Sequence, residues 1–274
     1  MILITGASGF VGKHLVGTLK DKPVILVDRH HGYDLTDVNT LLPLLNRKIE
    51  TVVHLASATP ANAYSKEYFR TNVTGTINLL KCLDKRHIKK IILLSSVSVY
   101  KINKDADIYF REDSDITTSE ESPYGYSKYI QESLIHEYCS EYSIECLIFR
   151  ASSIYGRGMP HTLLSVFNNS SKMDENLNIT IKNYKQNFVY VVDLVNLIKQ
   201  GICSHITGIY NIFSNETFDI EQLVEMVIRV NDSSSKIIRN YNSVDGFNKI
   251  YDNTKLNKDF NFKFTPLEEG IKTL

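Results

Sequence analysis

Short apolar runs alternate with longer amphipathic stretches through the first half of the chain, the pattern of a parallel sheet with crossover helices. Ile2 to Ile4, Val24 to Val27, Thr51 to Leu55, Lys90 to Ser95 and Glu145 to Phe149 read as buried strands, because their apolar residues run on without alternation. Between them, Phe10 to Leu19, Val38 to Leu45, Tyr68 to Leu83 and Tyr124 to Tyr142 carry apolar residues at three- and four-residue spacing and read as helices. The expectation is an α/β fold with a doubly wound parallel sheet that binds ligands beyond the strand C-termini. After Arg150 the alternation breaks down, and the stretch from Asn168 to Asn187 is rich in Asn, Ser and Lys. Short elements return at Phe188 to Val192, Asp193 to Cys203, Ile209 to Phe213, Ile220 to Val230 and Leu267 to Leu274. Residues 1–150 therefore read as one domain, and residues 151–274 mainly as a smaller lobe, with some segments returning to the first domain.

Composition narrows the function classes. A hydrophobic content of 43% excludes disorder, and 31 Lys+Arg against 31 Asp+Glu leave no net charge to attract nucleic acid. No run approaches the roughly 20 apolar residues that span a bilayer, and Met1-Ile2-Leu3-Ile4-Thr5 lacks a basic leader, so a cytoplasmic protein without a membrane partner is expected. Cys82, Cys139, Cys146 and Cys203 form no CxxC pair, the eight His offer no HExxH, and no GxSxG elbow occurs. Neither a metal site nor serine-hydrolase chemistry is expected.

The candidate chemistry lies at the strand ends. Gly6-Ala7-Ser8-Gly9-Phe10-Val11-Gly12 follows the first strand and opens the first helix, where residues without Cβ let a pyrophosphate approach the helix N-terminus. Asp28 ends the second strand, where a carboxylate accepts from the hydroxyls of an adenosine ribose. Arg29 follows it and offers an alternative partner for a 2′-phosphate, so NAD is expected and NADP stays open. Asp34-Leu35 stands where a second carboxylate reaches an adenine amine. Tyr124 and Lys128 sit at i and i+4 at the start of the last helix of this half, and Ser95, Ser96 and Ser98 lie at the end of the fourth strand. An ammonium about 4 Å away supplies the roughly 4 kcal/mol that brings a tyrosine from about 10 to near 7. Tyr100/Lys104 and Tyr251/Lys255 share the spacing, so position rather than spacing singles out Tyr124.

Together these residues resemble the extended short-chain dehydrogenases/reductases, which contain nucleotide-sugar epimerases, dehydratases and reductases. The likeness covers nearly the whole chain. It also includes His54-Leu55-Ala56-Ser57-Ala58, Asn72-Val73-Thr74-Gly75-Thr76, Arg150 to Gly156, Phe188 to Asp193, Tyr210-Asn211-Ile212 and Thr265 to Gly270. The resemblance implies an NAD(P)-binding Rossmann domain with a small C-terminal α/β substrate lobe, paired as a homodimer through two helices of each subunit. It implies Tyr124 as acid/base, Lys128 lowering its pKa and holding the nicotinamide ribose, and Ser96 bonding the same substrate oxygen. Cofactor contacts carried over are Gly6, Gly9, Phe10, Gly12, Asp28, Asp34, Leu35, Leu55, Ala56, Ser57 and Asn72, with Tyr124 and Lys128. Ser98, Ser153, Gln186 and Arg239 are the substrate candidates.

The chain departs from the family in places that bear on reaction type. Val97-Ser98 replaces the dehydratases' Asp-Glu pair, Gln186 stands where many members place a phosphate-clamping arginine, and Ser153 replaces an Asn. The expected reaction is 4-keto reduction of a nucleotide-linked sugar, followed by 4-epimerisation as the next choice. Reduction of another small carbonyl compound and noncatalytic dinucleotide sensing are the alternatives.

Overall fold

A computed structural model of the chain describes residues 1–60, 65–102, 108–160, 162–180, 185–240 and 249–274. In chain order the strands are β1 (Ile2–Thr5), β2 (Val24–Val27), β3 (Thr51–His54), β4 (Lys90–Ser96), β5 (Ile108–Phe110), β6 (Glu145–Ala151), β7 (Ser153–Tyr155), β8 (Leu177–Ile179), β9 (Lys185–Tyr190), β10 (Gly208–Ile212), β11 (Thr217–Asp219), β12 (Ile237–Arg239) and β13 (Lys249–Tyr251). The helices are α1 (Phe10–Thr18), α2 (Val38–Leu41), α3 (Ser65–Tyr68), α4 (Gly75–Lys81), α5 (Pro123–Tyr142), α6 (Leu163–Lys172), α7 (Val191–Cys203), α8 (Ile220–Val230), α9 (Thr254–Phe260) and α10 (Leu267–Ile271).

Six strands form the main sheet in the order β10-β6-β4-β3-β1-β2. The pairs from β2 through β6 are parallel, in a register that sets Thr5 beside Val27 and His54 and sets Ser96 beside Ala151. Their unbroken apolar runs are buried on both faces: Leu3, Val52, Ile91 and Ile148 join Leu41, Leu79, Ile135 and Cys139 of the helices in one core. The first compact unit comprises Met1–Lys101, Ser114–Ala151 and Val195–Tyr210, so the boundary is not a single cut near residue 150. The element expected at Ile209 to Phe213 forms β10, Gly208–Ile212, an edge strand of the main sheet.

Two expected helices are broken. Val38 to Leu45 is helical only to Leu41 and then tightens into a 3-10 turn, Leu42–Asn46, with Pro43 at its start. Proline has no N–H to continue the helical ladder. Tyr68 to Leu83 is interrupted by a π-helical turn, Phe69–Thr74, that carries Asn72. Such turns insert one residue and redirect a side chain.

The second unit, Ile102–Asp113, Ser152–Leu194 and Asn211–Leu274, has its own small sheets, β11-β9-β7, β12-β8 and β13-β5. Its core gathers Phe167, Phe188, Leu223, Val227 and Leu267. α6 lies partly in the Asn/Ser-rich stretch, where no helix was expected. Thr162 and Ser165 form a capping box at its start, and the buried face mixes Leu164 and Phe167 with Ser165, Asn168 and Ser171.

One charged pair sits inside the first unit. Arg150 on β6 donates to both carboxylate oxygens of Glu132 on α5, at 2.7 Å from Nη2 and 3.1 Å from Nε, and both side chains are buried. Ser95 also donates to Glu132, and Arg150 donates to the Tyr100 hydroxyl at 3.0 Å. Tyr100 is thus an anchored interior residue, and its spacing partner Lys104 lies outside the described residues. Losing one member leaves an uncompensated buried charge. Arg150→Met is expected to lower unfolding stability by about 3–5 kcal/mol, and the double variant Glu132→Leu/Arg150→Met by less, as read from urea unfolding midpoints.

Candidate active site

The glycine-rich turn between β1 and α1 is shaped by close backbone approach. A Cβ at Gly12 meets the Gly6 carbonyl oxygen at 2.2 Å, so only glycine lets the helix begin where it does. Gly9 is the N-cap and carries no side-chain oxygen, and the first turn of α1 holds no acidic residue. Its amides and the positive end of the helix dipole therefore suit a diphosphate, which is the fit an NAD(P) pyrophosphate requires. Phe10 packs edge-on against His14, with ring centroids 5.3 Å apart.

Asp28, just past β2, ties this turn to the next loop. Its Oδ2 accepts from Ser8 N at 2.7 Å, and its Oδ1 accepts from His31 N at 3.2 Å and His31 Nδ1 at 2.8 Å. Burial alone raises its pKa, but the bonds from His31 and Ser8 outweigh it and hold the carboxyl at about 2. Three of the carboxylate's roughly four lone-pair positions are taken, so accepting two ribose hydroxyls requires His31 to yield one. Arg29 donates from Nε to Asp34 Oδ2 at 3.1 Å, and Asp34 also accepts from Thr36. Leu35 is buried against Gly75.

Tyr124 opens α5 at the C-terminal end of β4. Gly125 permits this placement, since a Cβ there meets the Ser98 carbonyl oxygen at 1.9 Å. The Tyr124 ring packs edge-on against Tyr68 at 5.5 Å. Burial pushes its hydroxyl up to about 12, against hydrogen bonds with Ser96 and Ser57 that pull it down. The structure thus brings Tyr124, Ser96 and Ser57 together, and Ser96 also bonds Ser98, Oγ to Oγ, at 3.1 Å. A hydroxyl lowered toward 7 by Lys128 is not what this arrangement holds. The Lys128 ammonium instead donates to the Leu94 carbonyl at 2.8 Å and to the Gln131 side-chain oxygen. Burial brings Lys128 itself down to about 7, with Glu132 opposing.

Asn72 was expected at the cofactor, and its amide is used inside the chain. Its Oδ1 accepts from Ala58 N at 2.8 Å and Ser57 Oγ at 3.1 Å, while its Nδ2 donates to the Ala58 carbonyl at 3.1 Å and Ser127 Oγ at 2.9 Å. All four of its hydrogen-bonding positions are filled, so the π-helical turn turns Asn72 into a clamp on the loop after β3. The amides of Leu55 and Ala56 are likewise taken, each donating to Thr5 Oγ1 at 3.1 Å.

The substrate candidates divide between the units. Ser98 stands with Ser96 in the first, and the others belong to the second. There Ser153 on β7 is exposed and in register with Phe188, Gln186 on β9 is in register with Phe218, and Arg239 on β12 pairs with Glu221 at 3.1 Å. Sequence reasoning missed Gln131, Glu132 and the anchoring of Arg150. Gln131 stands three residues from Lys128, a spacing that puts two helical side chains on one face. Among the described residues no group of three or more His, Cys, Asp or Glu is arranged to hold a metal, and no helix is long and apolar enough to cross a membrane.

The glycine turn, the Asp28 carboxylate and the group of Tyr124, Ser96 and Ser57 sit on a Rossmann-type parallel sheet. The sequence matches the NAD dependent epimerase/dehydratase family over residues 2–212, and the chain belongs to that family, whose members are NAD(P)-dependent enzymes of nucleotide sugars. It is 27% identical over 273 residues to the UDP-glucose 4-epimerase of Halalkalibacterium halodurans, covering 84% of this chain and 80% of that protein. It is 26% identical over 252 residues to the GDP-6-deoxy-D-mannose reductase of Pseudomonas aeruginosa, covering 87% and 82%. The fold matches a UDP-glucose 4-epimerase of Thermotoga maritima, solved with UDP-glucose, at a TM-score of 0.85, with 22% identity, covering 99% of this chain and 96% of that one.

The depressed pKa of Asp28 links the site to stability. A carboxyl at about 2 in the folded chain and at 3.8 otherwise contributes about 2 kcal/mol above pH 4, and loses it as pH falls through 2. Asp28→Asn is expected to lower stability by that order at pH 7 and to flatten the acid limb between pH 4 and 2, measured by urea unfolding across that range.

Proposed function

We propose that this chain is an NAD(P)-dependent reductase of the C4 keto group of a nucleotide-linked sugar. The observation that carries the reading is the placement of Tyr124 beside Ser96 and Ser57 in a buried setting that favours its protonated hydroxyl. A group that keeps its proton at neutral pH enters the reaction as an acid, the role a ketone reduction requires.

The amides at the start of α1 would hold the cofactor diphosphate, and Asp28 would accept from the adenosine ribose. The nicotinamide, when bound, supplies the hydride. Ser96 donates to the ketone oxygen and fixes it beside Tyr124, whose proton passes to that oxygen as negative charge develops there. Lys128 stands one helical turn along α5 from Tyr124, and its charge would offset the tyrosinate left behind. In the second unit Gln186, a neutral side chain, takes the place of a phosphate-clamping arginine, which suits an enzyme that releases its product after a single transfer.

Epimerisation at C4 is the second reading, supported by the likeness to the H. halodurans enzyme. It requires Tyr124 to begin as a base. On a panel of 4-keto nucleotide sugars the reductase consumes reduced cofactor in proportion to sugar, whereas interconversion without added reduced cofactor would establish the epimerase. Turnover of unlinked carbonyl compounds alone would remove the nucleotide from the substrate.

Tyr124→Phe is expected to lower turnover by about 10²–10⁴-fold, the range of general acid catalysis, and to change cofactor affinity by less than about threefold. NAD(H) is expected to bind at least tenfold, or about 1.4 kcal/mol, more tightly than NADP(H), because Asp28 repels a 2′-phosphate and Arg29 is drawn onto Asp34. Calorimetric titration with both cofactors measures that difference, and a preference for NADP(H) would show that Arg29 turns outward.

A further inference from the structure

Around Gln131 on α5 lies a run of buried polar side chains. Gln131 is fully buried, with 0% of its surface exposed, and Lys128 is 1% exposed. The Gln131 oxygen accepts from the Lys128 ammonium. Its nitrogen lies 2.9 Å from His54 Nε2 and 2.9 Å from Thr76 Oγ1. His54 Nδ1 lies 2.6 Å from Thr5 Oγ1, and Thr76 donates onward to the Asn72 carbonyl at 2.6 Å. Thr5 Oγ1 already accepts from the amides of Leu55 and Ala56, so its own proton goes to His54 Nδ1; the ring proton then sits on Nε2 and is given to Thr76 Oγ1 at 2.9 Å, and Thr76 also accepts from the Gln131 amide. Five elements thus converge on one amide: β1, β3, the π-helical turn, α4 and α5.

An ammonium has three N–H donors, and two are committed, to Leu94 O and to Gln131. Two fixed acceptors on a flexible four-carbon stem determine where the third donor points. We propose that Gln131 is a positioning residue for Lys128, its amide oriented by Thr76, which His54 fixes in turn, so that the ammonium's remaining N–H is held for the reaction. This rests on the reading of Lys128 as part of the reaction machinery. Gln131 itself touches neither substrate nor cofactor.

The charges that face Lys128 come from several directions. His54 on β3 is held neutral, brought to about 3 by burial and then by Lys128 itself. Glu132 on α5 favours the ammonium, and it is bound to Arg150 on β6 and Ser95 on β4. Tyr124 lies one turn away on α5. A neutral amide at position 131 adds an acceptor without adding charge, so replacing it separates geometry from charge.

The test compares Gln131→Leu, Gln131→Glu, Lys128→Met and Tyr124→Phe on the nucleotide-sugar panel, together with ¹³C-lysine NMR titration of Lys128, assigned by its loss in Lys128→Met. Gln131→Leu should lower kcat at least tenfold with KM for the sugar within about twofold. It should also move the alkaline limb of the kcat profile, and the Lys128 titration, to lower pH by about one unit. Gln131→Glu should move both to higher pH. Wild-type kcat and an unmoved titration in Gln131→Leu would overturn the proposal, as would equal losses of thermal stability in both variants with no shift in either titration. If Gln131→Leu does not fold, the direction of the Gln131→Glu titration decides alone. Retained turnover in Lys128→Met and Tyr124→Phe would instead overturn the reading of the site, an outcome distinct from either result at Gln131.

Discussion

An ammonium inside a protein must be surrounded by acceptors or lose its charge, and the burial of Lys128 imposes that choice on everything around it. The backbone of β4 provides one acceptor and α5 provides another. The second acceptor is a side-chain amide that must itself be satisfied, so His54 and Thr76 are drawn into the interior, and behind them Thr5. Thr5 in turn accepts the amides of Leu55 and Ala56, which fixes the loop after β3. The path of the backbone beside the glycine turn is therefore tied, bond by bond, to one charged group on α5.

α5 shows how this demand is written into a helix. The first half of its buried face is Ser127, Lys128, Gln131 and Glu132, and the second half is Ile135 and Cys139. The polar half lies at the C-terminal end of the sheet, and the apolar half packs into the core with Leu79 and Ile148. Glu132 needs a different solution from Lys128. It meets a full opposite charge in Arg150, backed by hydroxyls from Ser95 and Tyr100. A neutral amide beside one charge and an ion pair at the other keep two adjacent turns from competing for the same partner.

The strands were legible because residues buried on both faces give unbroken apolar runs, and the glycine turn was legible because its spacing has a mechanical cause. Gln131 and Glu132 were not, since polar residues on a helix ordinarily read as its solvent face, and only the fold reveals that here they point inward. α6 escaped for the same reason, with Ser165, Asn168 and Ser171 on its buried side. Asn72 was found as a residue but not in its work. A π-helical turn has no hydrophobic signature, and without it the side chain does not reach the Ala58 backbone. β10 was found as an element but not placed in a sheet, because apolar periodicity reports burial and not the neighbour that provides it.

The two shifts at the site make sense together. Burial favours the neutral forms, keeping the proton on Tyr124 and loosening the one on Lys128. The sequence reading had Lys128 lower the pKa of Tyr124 and hold the nicotinamide ribose. In the folded chain its electrostatic demand peaks later. In the proposed reduction, Tyr124 passes its proton to a developing alkoxide and leaves a tyrosinate in a poorly solvated site, where a cation one helical turn away is worth far more than in water. An ammonium held in place beforehand meets that charge without reorganising, which is why its acceptors are rigid and buried rather than drawn from solvent. The same logic favours the reductive direction, in which the tyrosine starts neutral and the charge appears only as the hydride arrives.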